Sequence, residues 1–180
     1  SKPILSQNND LQLIHASDGF NNSWYGKSIS LSDDYLVVGS IASLNSNSVT
    51  HGACYVYTKD INGNWGNEQK IIYPGNDTHS LFGSSVSISG NTIVVGAVFE
   101  VAQIGGTGAA YVYEVDGNGQ WNLKQKLTPI DTAPNLKFGN NVFISEGYMA
   151  VQSEGNIFLN QPSIETIFEK GNDGCCSEVQ

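Results

Sequence analysis

Few residues in this sequence are of types and spacings that could do chemistry. His15, His51 and His79 are scattered in or beside loops, and none stands at metal-ligand spacing from another histidine, a cysteine or an acid. They read as surface residues. A catalytic serine or cysteine would need a base and an orienting acid, and no such grouping stands out. Asp33 and Asp34 are neighbouring acids in a turn, and paired-carboxylate hydrolysis would require the fold to set a second carboxylate opposite them. Gly105-Gly-Thr-Gly108 has the glycines of a phosphate loop, but no helix and no Lys-Ser/Thr follow it, so it reads as a flexible loop. Trp65 and Trp121 recur at equivalent places and read as packing residues, and Trp24 beside Tyr25 is assigned to packing as well. The expectation is a chain without catalytic, cofactor-binding or metal residues. The candidate modification sites are the N-glycosylation sequons at Asn21 (Asn21-Asn-Ser23) and Asn76 (Asn76-Asp-Thr78), both between repeat units.

A repeated frame carries these residues. Gly52-Ala-Cys-Tyr-Val-Tyr57 returns 56 positions later as Gly108-Ala-Ala-Tyr-Val-Tyr113, and Trp65 returns as Trp121. Trp24-Tyr-Gly-Lys-Ser-Ile-Ser-Leu-Ser32, Leu81-Phe-Gly-Ser-Ser-Val-Ser-Ile-Ser89 and Lys137-Phe-Gly-Asn-Asn-Val-Phe-Ile-Ser145 align on Gly26, Gly83 and Gly139. A period of this size marks an architecture in which no unit buries its apolar face alone. Within each unit, alternation at Ser28–Leu31, Ser85–Ser89 and Asn141–Ile144 predicts a first strand. The apolar runs Tyr35–Gly39, Thr92–Gly96 and Tyr148–Gln152 predict a second strand buried on both faces. The aromatic and β-branched stretches Cys54–Tyr57 and Ala110–Tyr113 predict a third, and Trp65–Ile72 and Trp121–Leu127 a fourth. Asp60-Ile-Asn-Gly63 and Asp116-Gly-Asn-Gly119 supply the hairpin turns between strands 3 and 4.

The fold class expected is all-β: about three four-stranded antiparallel meanders arranged as propeller blades, incomplete as a single closed ring. Units fall at about 24–72, 81–128 and 137–169 within a domain of residues 1–169, with 170–180 a tail. In the abbreviated third unit, matching Gly155 to Gly108 puts the last two strands at Asn156–Leu159 and Ile164–Glu169. A leading segment, Leu11-Gln-Leu-Ile-His15, resembles the fourth strands at Gln69-Lys-Ile-Ile-Tyr73 and Gln125-Lys-Leu-Thr128 and is left spare, or is the remnant of an upstream blade. Open end faces and an unpaired edge predict self-association or a larger assembly.

Phe-Gly before an alternating strand, Val-Val-Gly-Ala at 94–97 and Gly-Ala-Ala-Tyr-Val-Tyr113 together resemble the FG-GAP repeat of integrin α-subunit propellers and of many secreted proteins. The second unit carries Phe82-Gly83 and Val94-Val95-Gly96-Ala97, with Val98 in place of the proline; the first has Tyr25-Gly26 and Val38-Gly39-Ser40; the third keeps Phe138-Gly139 only. The resemblance implies a non-enzymatic extracellular or cell-surface module for interaction, adhesion or structure. Its alternative is an accessory propeller domain or fragment of a secreted hydrolase. Integrin-type blades often hold calcium in an acidic loop between strands 1 and 2. Here those turns are too short to offer 6–8 oxygens, and the Asp60/Asn62 and Asp116/Asn118 turns read as plain hairpins.

The 180 residues carry eight basic residues, all lysine, against 17 acids, for a net charge of −9. That balance lacks the cationic footprint of a nucleic-acid binder, and no apolar run approaches a membrane span. The expected partner is a protein or glycan on the face where the long, dissimilar loops 15–23, 41–51, 73–80, 98–107 and 128–136 emerge together. Cys54 reads as a small core residue. Cys175 and Cys176 lie in the tail, where an odd total of three leaves open a thiol or an intermolecular bridge.

Overall fold

The computed structural model describes residues 11–19, 21–42, 51–77, 79–100, 106–129, 135–154, 164–171 and 175–179. Among them run three antiparallel sheets, each with its four strands in sequence order. The first blade is β1 (Tyr25–Leu31), β2 (Tyr35–Ser40), β3 (Ala53–Lys59) and β4 (Trp65–Ile72). The second is β5 (Phe82–Ser89), β6 (Thr92–Ala97), β7 (Ala109–Val115) and β8 (Trp121–Leu127). The third is β9 (Asn141–Ser145), β10 (Tyr148–Ser153), β11 (Ile164–Lys170) and β12 (Cys176–Glu178). The sheets form propeller-type blades without closing a ring among the described residues.

The Phe-Gly element is a tight turn built into the start of each first strand. Ser84 N donates to the Leu81 carbonyl at 3.0 Å, and Lys27 and Asn140 make the matching bonds to Trp24 and Lys137. The aromatic residue sits at the second position and glycine at the third, where Gly83 has φ +89°; a type II turn requires positive φ there. The turn adds residues to β5 that β6 does not match, shifting the register between Phe82 and Val86.

This turn docks one blade on the next. A Cβ on Gly39 would lie 2.1 Å from the Gly83 carbonyl oxygen, and one on Gly96 would lie 2.1 Å from that of Gly139, so only glycine admits the approach. Ser28 Oγ donates to Gly83 O and Ser85 Oγ to Gly139 O, each at 2.8 Å. Ser30 Oγ accepts from Ile88 N and Ser87 Oγ from Ile144 N, each at 3.1 Å. The small polar residues alternating along the first strands thus face the following blade.

Apolar packing follows the same plan. Val37, Cys54 and Val56 meet Phe82, Val86, Ile93 and Val95 between blades 1 and 2. Val94, Val112 and Leu127 meet Phe138, Val142, Met149 and Val151 between blades 2 and 3. β6, enclosed by blades on both sides, is buried at every residue, whereas β10 alternates because only one of its faces is covered.

Three sequence expectations are corrected. Ile164–Lys170 is the third strand of the last blade, pairing with β10 from Ser153↔Ile164 to Tyr148↔Glu169, and not the fourth. The fourth is β12, inside the stretch read as a tail, joined through Gly171 N to Cys175 O at 2.7 Å. The connection between strands 2 and 3 runs from Ser153 to Ile164, nearly as long as that from Ala97 to Ala109, so the third unit is not shortened there and its strands fall one place later. The stretch Asn156–Leu159 lies outside the described residues. Leu11–His15, expected as a strand, forms no ladder among the described residues.

Candidate functional site

Connections between strands 2 and 3 and those between blades gather at one end and bond to one another. Ser40 Oγ and Ala42 N both donate to the Ser23 carbonyl, at 2.8 and 3.1 Å. Phe99 N donates to Ser80 O at 3.0 Å, and Phe138 N to Thr107 O at 2.8 Å. His51 Nδ1 donates to Asp77 O at 3.1 Å.

Between the first strands lies a groove of about 600 Å³. Lys27, Ser84 and Asn140, the residues that follow the three Phe-Gly or Tyr-Gly pairs, line it together. Lys137 Nζ pairs with Glu154 at 2.6 Å and sits 6.0 Å from the ring centre of Phe99, an aromatic left exposed at the rim. Amides, a hydroxyl, a cation and an open ring suit recognition of a polar ligand by hydrogen bonding and stacking.

Carboxylates near this end are engaged by tyrosines and lysines. Buried Glu100 accepts from the Tyr111 hydroxyl and pairs with Lys126. Burial, then the adjacent Glu100, pushes the Tyr73 phenol up to about 12. In blade 1, Asp18 accepts from Tyr55 OH at 2.8 Å and Lys70 Nζ at 2.6 Å. Partial burial opposes its ionisation, but Lys70 and Tyr55 outweigh that and hold its carboxyl below the ordinary value. Glu68 accepts from Tyr57 OH at 2.8 Å and Ser17 Oγ at 2.6 Å, tying the leading segment onto blade 1. Such contacts pin loops to sheets.

Both candidate glycosylation residues, Asn21 and Asn76, are exposed at the loop end; Thr78 lies outside the described residues. Asp60 and Asp116 sit at the hairpin end. Asp60 accepts from Asn62 N and Asn64 N at 2.8 Å, and Asp116 from Asn118 N and Gln120 N at 2.9 Å. Those bonds hold both carboxyls below the ordinary range. Among the described residues, no three His, Cys, Asp or Glu side chains are grouped to hold a metal ion. Asp33 and Asp34 contribute backbone carbonyls, to Lys59 Nζ at 3.4 Å and Lys59 N at 2.9 Å. Gly105 is outside the described residues.

Three single-residue expectations change. Trp24 is 64% exposed, not packed. His51 is half-buried and stacks on Tyr73, with ring centres 6.1 Å apart, so it is not a plain surface residue. Cys176 is in the core of blade 3, its Sγ 3.9 Å from Met149 Sδ, while Cys175 is exposed. Trp121 packs edge-on against Tyr35 at 5.1 Å. Cys54 is fully buried, which raises its thiol pKa.

One recurring device escapes a reading focused on strands. Trp121 N donates to Gln69 Oε1 at 3.2 Å, and Gln69 Nε2 donates to Trp121 O at 3.5 Å. Gln125 clamps Cys176 in the same way, with bonds of 2.6 and 2.9 Å, and Gln12 clamps the backbone of Trp65. Gln69 and Gln125 thus stand in the fourth strand of one blade and grip the start of the next blade's fourth strand, and Gln12 grips the start of β4 from the leading segment. Gln12 matches Gln69 and Gln125, so the leading segment aligns one residue away from the alignment that set Leu11 against Gln69.

The sequence model of the FG-GAP repeat family matches residues 9–57 and 65–113. No curated protein matches the chain. No helix among the described residues is long and apolar enough to cross a membrane.

Proposed function

Since the chain belongs to the FG-GAP repeat family, we propose that it is a non-enzymatic extracellular module for adhesion or structural interaction. In this reading it binds a protein or glycan partner through its loop end and works within a larger assembly. Blades supply a rigid frame and loops supply the variable surface, a division of labour common to binding scaffolds. The observation that carries the reading is the groove where exposed Phe99 stands beside the Lys137–Glu154 pair and the side chains of Ser84 and Asn140. An open ring flanked by amides and a cation fits sugar hydroxyls or a peptide backbone better than an apolar metabolite. The exposed sequons Asn21 and Asn76 at the same end suit a secreted or cell-surface protein. The net charge of −9 argues against nucleic acid.

The test is binding of the purified chain to a glycan array and to intact cells, compared with Phe99→Ala and Lys137→Ala. Each substitution is expected to weaken binding about tenfold, the equivalent of about 1.4 kcal/mol. Binding that survives both changes but is lost on altering Asp33, Asn91 or Asn118 at the hairpin end would overturn the reading.

A further inference from the structure

The groove between the first strands differs from the rest of the molecule in its charge, and that difference narrows what it can hold. Among the described residues, Lys70, Lys124, Lys126 and Lys170 pair with Asp18, Glu114 and Glu100, all outside the groove. Lys59 donates to the Asp33 carbonyl at 3.4 Å and lies over the Trp65 ring. The Lys27 ammonium has neither an ion pair nor a hydrogen bond among the described residues, and it lines the groove together with Lys137. Glu154 is the one carboxylate among the described residues that lines it. Two cations therefore face one anion there, in a chain whose net charge is −9.

The polar side chains beside these cations are equally uncommitted. Lys27, Ser84 and Asn140 each take the last position of the repeated turn, where the backbone N–H donates to Trp24 O, Leu81 O and Lys137 O at 3.1, 3.0 and 3.1 Å. The turn thus fixes the three backbones, and the three side chains line the groove in blade order. Ser84 Oγ makes only a long bond, 3.3 Å to Gly96 O, and its lone pairs stay open to an incoming hydroxyl. The Asn140 amide has no side-chain bond among the described residues, so it offers both a donor and an acceptor. Phe99 stands at the rim, 44% exposed.

We propose that the groove takes a sugar carrying a single carboxylate, a hexuronate in chemical class. The sugar's C–H face lies on the negative face of the Phe99 ring, its hydroxyls meet Ser84 and Asn140, and its carboxylate meets the Lys27 ammonium. Lys137 is already matched by Glu154 at 2.6 Å, so one negative charge completes the balance. A neutral sugar leaves Lys27 without a counter-ion, whereas a polyanion brings further charges against an otherwise acidic surface. The proposal deepens the function above and rests on the reading of this groove as the binding site.

The test is an NMR titration of the full chain with glucuronate and galacturonate against their neutral counterparts, glucose and galactose. At least one uronate should bind about fivefold tighter than its counterpart, the upper end of what an exposed ion pair contributes, and added salt should shrink the difference. Lys27→Gln should abolish the preference. Glu154→Gln, which releases Lys137 from its counter-ion, should enlarge it about twofold or more. Lys124→Gln makes the same charge change as Lys27→Gln away from the groove and should leave the preference as it is. Uronates that bind no better than neutral sugars, a preference that survives Lys27→Gln, or one that falls in Glu154→Gln overturns the proposal. So does N-acetyl-glycylglycine, a carboxylate without a sugar ring, if it binds as tightly as the better uronate. Phe99→Ala separates the proposal from the reading beneath it. If it weakens every sugar alike and no sugar is preferred for its charge, the groove binds sugars and the proposal alone falls. If Phe99→Ala and Lys137→Ala alter binding of none of these probes, the reading of the groove falls and the proposal with it.

Discussion

Tyr55 and Tyr57 on blade 1 occupy the same repeat positions, on the same face, as Tyr111 and Tyr113 on blade 2, yet their hydroxyls meet different fates. In blade 1 the face meets the segment 11–18, which packs Ile14 and Ala16 on it and brings Asp18 to its edge. Tyr55 donates to Asp18, while Tyr57 donates to Glu68 and accepts from Tyr25 at 2.9 Å. In blade 2 the face meets another blade. Phe82 takes the place of Tyr25 and packs edge-on against Tyr111 and Tyr113, with ring centres 5.6 and 6.3 Å apart. Lys124 takes the place of Glu68 and turns to Glu114 at 3.6 Å. Tyr111 recovers a partner in Glu100, but the Tyr113 hydroxyl is buried without one among the described residues. A face covered by a blade trades hydrogen-bonding partners for rings, and the trade is incomplete at Tyr113.

The sharpest way to break this comparison is to remove the inter-blade contact itself. Gly96→Val forces a branched side chain into the Gly139 backbone, where even a Cβ would lie 2.1 Å from the carbonyl oxygen. Overpacking of this kind costs about 3 kcal/mol or more when the obstacle is main chain. Urea unfolding should show a loss of that size, and Gly90→Val, where a Cβ meets nothing within 4 Å but φ is +52°, a smaller one from backbone strain alone.

Next in size is Glu100→Ala. It strips the buried Tyr111 hydroxyl of its acceptor and Lys126 of its counter-ion, and an unsatisfied buried hydroxyl costs about 1–3 kcal/mol. The loss should shrink in the double variant with Tyr111→Phe, because no hydroxyl is then left unpaired. Equal losses in the single and double variants would show that the pair contributes by packing only.

Acid should weaken both ends in the same direction. Asp18, Asp60 and Asp116 all have folded-state pKa values below the ordinary carboxylate value, so each contributes stability that is present above the unfolded value near pH 4 and is lost as pH falls through the folded value. Stability due to these groups should be level from neutral pH down to about 4 and fall below it. The decline should be shallower in Asp18→Asn, which retains an acceptor for Tyr55. A midpoint of acid unfolding unchanged by all three Asn substitutions would remove these carboxylates from the account.

Much of this was legible in the sequence because each blade repeats the demands of its neighbour. Gly26, Gly83 and Gly139 recur because a type II turn recurs, and the apolar run Ile93-Val-Val95 reads as doubly buried because blades lie on both sides. Legibility fails where the repeat stops meeting the same surroundings. Trp24 aligns with Leu81 but has no blade beside it, so a packing assignment by analogy misplaces it. Cys176 aligns with Trp65 and Trp121 only through the glutamine clamp, which depends on a backbone position and leaves no type-specific mark on the residue held. Asn172-Asp-Gly174 has the composition of the Asp60 and Asp116 turns, and reading it so would have placed strands β11 and β12 correctly. The groove is the least legible feature, because Phe99, Lys137 and Glu154 come from different connections and meet only when the first strands converge.

The smallest effect expected carries the opposite sign. Tyr113 is buried on the face that Phe82 covers, and burial pushes its phenol pKa up. Its repeat mate Tyr57 has three partners for its hydroxyl, Glu68, Tyr25 and the His15 carbonyl, and Tyr113 has none among the described residues, so the same substitution should act oppositely at the two places. Tyr57→Phe removes bonds to Glu68 and Tyr25 and should cost about 1 kcal/mol, whereas Tyr113→Phe deletes an uncompensated polar atom while keeping the ring contacts, and should be neutral or stabilising by up to about 1 kcal/mol. Paired chemical-denaturation curves, with slopes checked for equality so that midpoints can be compared, give the two values directly. A loss on Tyr113→Phe as large as on Tyr57→Phe would mean that its hydroxyl is bonded in solution, by an ordered water in the interface, and that the second blade keeps the polar anchoring of the first.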